Sequence, residues 1–241
     1  MDTITELKEV FGPIIQPCCG PIYFATSLES AVGTDDANGS FGLLDTGTKK
    51  VLVTCNHVIE DFAALSTQKK AWLGVCLEEG QPVVLDLGSL IDRDAELDLA
   101  VFDMEPLLRF CRGREFYNLH LNPPPLVKRG DGLVFHGYPG ERRKGKATGL
   151  EFGRFTFAVT ASDVTSHQIL ADVSYVMRQT VGGTPVNDPY GGISGAPAFL
   201  RRAGVKPSFA AIVTSVAQRG MNLMRFTSAS CIRADGTIAK R

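Results

Sequence analysis

Apolar residues along this chain come in short runs punctuated by Gly, Pro, Asn and Asp, a pattern of strands and turns rather than helices. Strands are predicted at residues 22–27, 41–45, 50–54, 71–77, 83–87 and 99–103. After a break, more are predicted at 132–135, 148–160, 168–172, 198–200, 209–215 and 222–226. Helical spacing is confined to residues 4–10, a single turn after His57, and residues 105–111. Many short strands with regular turn signals describe an all-β protein. Residues 104–131 carry a short helical stretch and then Asn122-Pro123-Pro124-Pro125, which cannot serve as a central strand because proline has no N–H to donate. The predicted organisation is therefore an N-terminal extension (1–20), a first barrel (21–112), a linker (113–131) and a second barrel (132–241). Ile4, Leu7, Val10 and Phe11 put an apolar stripe on the extension, read as packing on the body, with docking of a partner as the other reading.

Charge changes this picture little. Lys and Arg number 25 against 26 Asp and Glu, so neither nucleic acid nor an anionic membrane is expected as the main partner. No apolar run approaches the ~18 residues of a membrane helix. The start Met1-Asp2-Thr3-Ile4-Thr5-Glu6 lacks the basic and apolar stretches of an export signal, so a cytoplasmic location is expected. Six cysteines suit three disulfides by count, but Cys18 and Cys19 are adjacent and no C-x-x-C pair exists to grip zinc. They are read as reduced, mostly buried thiols. No metal and no cofactor is expected.

Three motifs carry chemistry. Thr54-Cys55-Asn56-His57-Val58 follows an apolar strand, Asp98-Leu99-Ala100-Val101 opens another, and Gly192-Ile193-Ser194-Gly195-Ala196-Pro197 is a glycine-rich loop. A serine hydroxyl is a poor nucleophile until a base takes its proton, and that base needs a third group to hold its tautomer. All four histidines (57, 120, 136, 167) precede Ser194, which excludes the α/β-hydrolase order; a subtilisin-type order would need the aspartate first. Asp98 lies between Leu97 and Leu99, where an acid is costly to bury unless hydrogen-bonded, whereas Asp92, Asp94, Glu96 and Asp103 read as solvated charges.

In these motifs and their order the chain resembles the trypsin-like (chymotrypsin-fold) serine proteases, and among them the bacterial intracellular trypsin-like peptidase domains, over roughly residues 20 to 232. The resemblance implies two six-stranded antiparallel β-barrels with the active site in the cleft between them. It implies His57 as general base, Asp98 as its orienting carboxylate and Ser194 as nucleophile, with the N–H groups of Gly192 and Ser194 forming the oxyanion hole. It also places Thr214 where the family has a serine touching the buried aspartate, and Ser215 and Val216 where a peptide substrate adds as a strand. The expected partner is a protein or peptide substrate, with a regulatory protein as a further possibility. The alternative is a catalytically weak binding or regulatory module on the same fold.

Departures from the family narrow these expectations. Ile193 stands where secreted members carry the aspartate that receives a freed N-terminus, so activation by cleavage is not expected, and Ala196 replaces a glycine. Asp188, six residues before Ser194, matches the acid that selects Arg or Lys substrates, yet Val216 would narrow that pocket and Arg225 would neutralise the acid. Basic and small apolar specificity therefore both stay open. Glu141-Arg142-Arg143-Lys144-Gly145-Lys146 reads as a solvated basic loop.

Overall fold

A computed structural model describes residues 3–25, 38–68, 71–78, 81–139, 143–146, 149–180, 191–217 and 223–240. The first half builds strands β1 (Cys19–Ala25), β2 (Asn38–Asp45), β3 (Lys50–Thr54), β4 (Trp72–Glu78), β5 (Gln81–Val84), β6 (Leu90–Asp94), β7 (Leu99–Asp103) and β8 (Tyr117–Asn118). The second half builds β9 (Gly132–Gly137), β10 (Arg143–Lys146), β11 (Gly149–Phe152), β12 (Phe155–Val164), β13 (Gln168–Thr180), β14 (Pro197–Arg201), β15 (Ser208–Ala217) and β16 (Leu223–Ser228). The all-β class expected from the turn-punctuated apolar runs is what the chain adopts.

The second half closes into a six-stranded barrel in the order β12-β13-β16-β15-β14-β9, every neighbour antiparallel. Its interior is aromatic. Phe135 stacks on Phe157 at 5.0 Å between centroids and meets Phe226 edge-on at 5.6 Å, all three fully buried. Each such ring contributes about 1.5–3 kcal/mol by leaving water.

The first half forms the other sheet of the expected pair, a half-barrel among the described residues. Its sheet runs β5-β4-β1-β2-β3-β7-β6, with β8 added in parallel to β2 through Leu44 opposite Tyr117, and β5 and β6 remain as ends among the described residues. Each end is accounted for chemically. Pro82 in β5 has no N–H to extend a ladder. The flank of β6 is covered by the C-terminal segment, where Ile238 N–H donates to Asp92 Oδ2 at 3.0 Å and Gly236 lies against Ile91.

Three other readings are corrected. The single turn expected after His57 is a thirteen-residue helix, Asn56–Gln68. Val58, Ile59 and Phe62 bury its inner face, with Phe62 against Phe24 at 5.5 Å, so tertiary burial extends what local spacing left short. The basic run read as a loop contributes β10, paired with β11 through Lys144 opposite Glu151. The predicted strand at 148–160 is two strands, β11 and β12, separated at Gly153-Arg154.

Residues 3–18 form consecutive short helical turns. Leu7, Phe11, Ile15 and Cys18 are buried in a core shared with Val51 and Val53 of β3 and with Phe199, Phe209 and Ile212 of the second barrel. Arg201 clamps Glu6 through Nε at 3.0 Å and Nη2 at 2.7 Å. The apolar stripe of the extension is thus satisfied within the chain. Among the described residues no helix is long and apolar enough to cross a membrane.

Candidate active site

His57 lies in the first turn of the helix that follows β3. Its backbone N–H donates to Asp98 Oδ1 at 2.9 Å and its ring Nδ1 meets Asp98 Oδ2 at 2.7 Å. One carboxylate therefore holds both the backbone and the ring of the same residue. With Nδ1 donating to Asp98, the lone pair of a neutral ring is on Nε2. Asp98 reaches this position from the β6–β7 turn with φ +53°, a left-handed conformation that aspartate tolerates better than most residues. The turn is pinned from both sides: Leu97 N–H donates to Asp94 Oδ1 at 2.8 Å, and Thr227 Oγ1 of β16 donates to Leu97 O at 2.7 Å. Burial pulls the His57 pKa down, but the hydrogen bond and charge of Asp98, helped by Asp61 and Glu60, outweigh it and the net shift is upward.

Ser194 sits in the turn before β14, between Gly192 at φ +89° and Gly195 at φ +91°. Ala196 N–H donates to Ile193 O at 2.9 Å, Gly195 N–H to Val213 O at 2.8 Å, and Val213 N–H to Ala196 O at 2.9 Å, which locks the loop onto β15. Its other side docks on the first sheet, where Ser40 N–H donates to Ser194 O at 2.7 Å. A Cβ on Gly195 would lie 2.0 Å from Ser40 O and 2.6 Å from Thr54 Oγ1. Gly195→Ala therefore combines a backbone clash with positive-φ strain and is expected to cost on the order of 3 kcal/mol or more. Thermal unfolding should report a melting temperature lower by roughly 6–12 °C. A variant melting within a degree of wild type would contradict this docking.

The loop thus meets the segment Thr54-Cys55-Asn56 that leads into His57. The Gly192 and Ser194 N–H groups donate to none of the described residues. No hydrogen bond joins the Ser194 hydroxyl to the His57 ring in this arrangement, whereas the His57–Asp98 pair is assembled.

The expected partner of the carboxylate, Thr214, is not brought to it: its hydroxyl donates to Arg225 O at 3.2 Å instead. A bulge between Val213 and Ser215 turns the side chain toward β16. The neighbour that sequence reasoning missed is Cys55. Its thiol is fully buried, donates to Val213 O at 3.2 Å, and lies with the ligating atoms of His57 and Asp98 inside 4.8 Å of one another. Burial, then the charge of Asp98, pushes its pKa well up, so it stays a neutral thiol. Among the described residues these three side chains are the group whose atoms suit a metal, yet Nδ1 is committed to Asp98 and the thiol to Val213 O. Ligation through Nδ1 and the thiol would break both bonds.

Ser215 and Val216 lie on β15 opposite Arg225 and Met224 of β16. Because β14 begins at Pro197, opposite Ile212, its ladder stops before residues 214–217. That edge of β15 has no strand partner among the described residues. Asp188 and the side chain of Val216 lie outside the described residues. Ile193 is fully buried in the second barrel, and Gly137 supplies the room, since a Cβ there would lie 2.8 Å from Ile193 Cγ2. His136 is a buried structural histidine on Thr156 Oγ1 at 2.9 Å; burial, then Arg154 and Arg114, lowers its pKa to about 3. All six cysteines are free.

No protein-family model matches this chain, and no characterised protein matches it in sequence. Solved structures do match. A thermostable serine protease AL20 from an extremophilic microorganism aligns with TM-score 0.52 at 14% identity, covering 88% of this chain and 91% of that one. Human heparin binding protein aligns with TM-score 0.53 at 13% identity, covering 90% of this chain and 88% of that one. Protease Anisep from Arthrobacter nicotinovorans aligns with TM-score 0.50 at 13% identity over 88% and 90% of the two chains. At this identity the likeness establishes the shared chymotrypsin fold alone.

Proposed function

We propose that this chain is a trypsin-like serine endopeptidase, of the kind found as intracellular peptidase domains in bacteria. The observation that carries the reading is the double grip of Asp98 on His57, which leaves Nε2 as the proton acceptor beside the docked Ser194 loop. In the proposed reaction Ser194 Oγ attacks the peptide carbonyl carbon while His57 Nε2 takes the hydroxyl proton. The negative charge that develops on the carbonyl oxygen is met by the Gly192 and Ser194 N–H groups. Collapse of the tetrahedral species breaks the C–N bond as His57 returns the proton to the leaving amine. Water, deprotonated by the same nitrogen, then attacks the acyl ester and frees Ser194.

The substrate proposed is an extended segment of a protein or peptide, added as a strand along residues 214–217 of β15, where the β14 ladder has ended. The six free thiols suit a reducing cytoplasmic setting, in which restraint would come from narrow specificity or a controlling partner protein. The second reading is a binding or regulatory module, favoured by the absence of a hydrogen bond between Ser194 and His57. A fluorophosphonate probe separates the two. The protease reading expects stoichiometric labelling that peptide mass mapping assigns to Ser194, together with cleavage of an unfolded protein substrate. An unlabelled protein that cleaves nothing is a binding module.

The base must be neutral to act, and Asp98 favours its charged form. The acid limb of kcat/KM is therefore expected to lie above the ordinary histidine value of 6.5. Stability runs the opposite way. A raised folded-state pKa stabilises the protein fully below the unfolded value, and this contribution is lost as pH rises through the folded value. A pH–rate profile whose acid limb falls below 6.5 would contradict the geometry.

A further inference from the structure

Three glycines around Ser194 make the loop's conformation something other groups must impose. Its C-terminal half is imposed by the β15 hydrogen bonds of Gly195 and Ala196. Its N-terminal half, the Gly192–Ile193 peptide, has no such ladder among the described residues, and Ile193 offers only an apolar side chain. What reaches this peptide is Ser40, a fully buried residue of β2 in the other half of the molecule.

Ser40 uses every polar group it has. Its Oγ donates to Gly192 O at 2.9 Å and accepts the Tyr138 N–H at 3.1 Å. Its N–H donates to Ser194 O at 2.7 Å, and its carbonyl accepts the Thr54 hydroxyl at 2.8 Å. A hydroxyl has one proton, so the Tyr138 N–H occupying a lone pair leaves that proton aimed at Gly192 O. The Gly192–Ile193 peptide lies between the Gly192 and Ser194 N–H groups, so the plane of this peptide sets the angle between them.

We infer that Ser40 is a positioning residue that holds the Gly192–Ile193 peptide so that the N–H groups of Gly192 and Ser194 converge on one oxyanion. It does from the first sheet what an ion pair on residue 193 cannot do when that residue is isoleucine. The inference rests on the protease reading above.

The test compares wild type with Ser40→Ala and Ser40→Cys, after fluorophosphonate labelling has scored the wild type. Ser40→Ala is expected to lower kcat roughly 10–100-fold, less than the 10²–10³ of deleting a donor outright, because both N–H groups survive misaligned. KM is expected to stay within about twofold, and the acid limb of the pH profile to stay in place. Affinity for a peptide trifluoromethyl ketone, which forms an oxyanion on Ser194, should fall by the same factor as kcat. A merely structural role would not move these two together. Ser40→Cys keeps the shape with a weaker donor and should fall between wild type and alanine; it decides the question if the alanine variant does not fold. A wild type that does not label overturns both this inference and the protease reading. A wild type that labels, with variants unchanged in kcat and ketone affinity or changed only in KM, overturns this inference alone.

Discussion

Replacing Ser194 with alanine is expected to lower peptide turnover by about 10⁶-fold, the size of loss that removal of the nucleophile causes in an unrelated serine protease. The substitution deletes the atom that forms the acyl bond in the proposed reaction, while the surrounding loop is held by main-chain atoms that alanine retains. Ser194 O still accepts from Ser40 N–H, and Gly195 and Ala196 still bond to β15 and Ile193. The fold and the melting temperature should therefore be unchanged, which isolates the chemical loss from a folding loss. Burst kinetics with an activated ester should vanish together with fluorophosphonate labelling. Residual turnover within about a hundredfold of wild type would place the nucleophile elsewhere.

Asp98→Asn is expected to lower kcat by about 10⁴-fold, as loss of the correct tautomer does in a serine triad. The two oxygens of Asp98 serve two donors on one residue: the His57 N–H at 2.9 Å and ring Nδ1 at 2.7 Å. Asparagine has a single oxygen. The backbone N–H cannot become an acceptor, so the oxygen stays with it and the NH₂ faces the ring. Nδ1 must then accept, the ring proton moves to Nε2, and the base toward Ser194 is gone. A second readout follows from the pKa. Removing the hydrogen bond and charge of Asp98 leaves burial as the largest influence on His57, so its pKa, followed by NMR of the ring protons, should move down. A variant within tenfold of wild type, or a pKa that does not fall, would contradict the assignment of Asp98.

Much of the candidate site was legible because its chemistry is local. A strand ending in Thr54, a carboxylate between Leu97 and Leu99, and a serine among glycines each identify themselves by residue type and spacing. The boundaries of β3 and β7 were legible for the same reason: runs of three and four consecutive apolar residues are buried on both faces. Less legible were the elements whose partners are distant. The helix Asn56–Gln68 outruns its local signal because Phe24 and the first-sheet core wait for Phe62. Strand β6, Leu90–Asp94, is missed since its ladder partner β7, not its own pattern, makes it a strand.

The supports of the site were illegible altogether. Ser40 is separated from Gly192 by 152 positions and Thr227 from Leu97 by 130, and nothing about an isolated serine or threonine announces such a bond. Thr214 shows the converse. The family resemblance implies a contact with Asp98, and a one-residue bulge in β15 sends the hydroxyl to Arg225 instead.

The amino-acid order alone decides which groups can react, since nucleophile, base and carboxylate are properties of side chains and their covalent neighbours. Orientation is decided only when two sheets meet, because a hydrogen bond depends on ångström distances between atoms that the chain itself leaves far apart. Thus the residue types were readable from one end to the other, whereas the buried bonds of Ser40, Cys55 and Thr227 that aim them came into being with the packing.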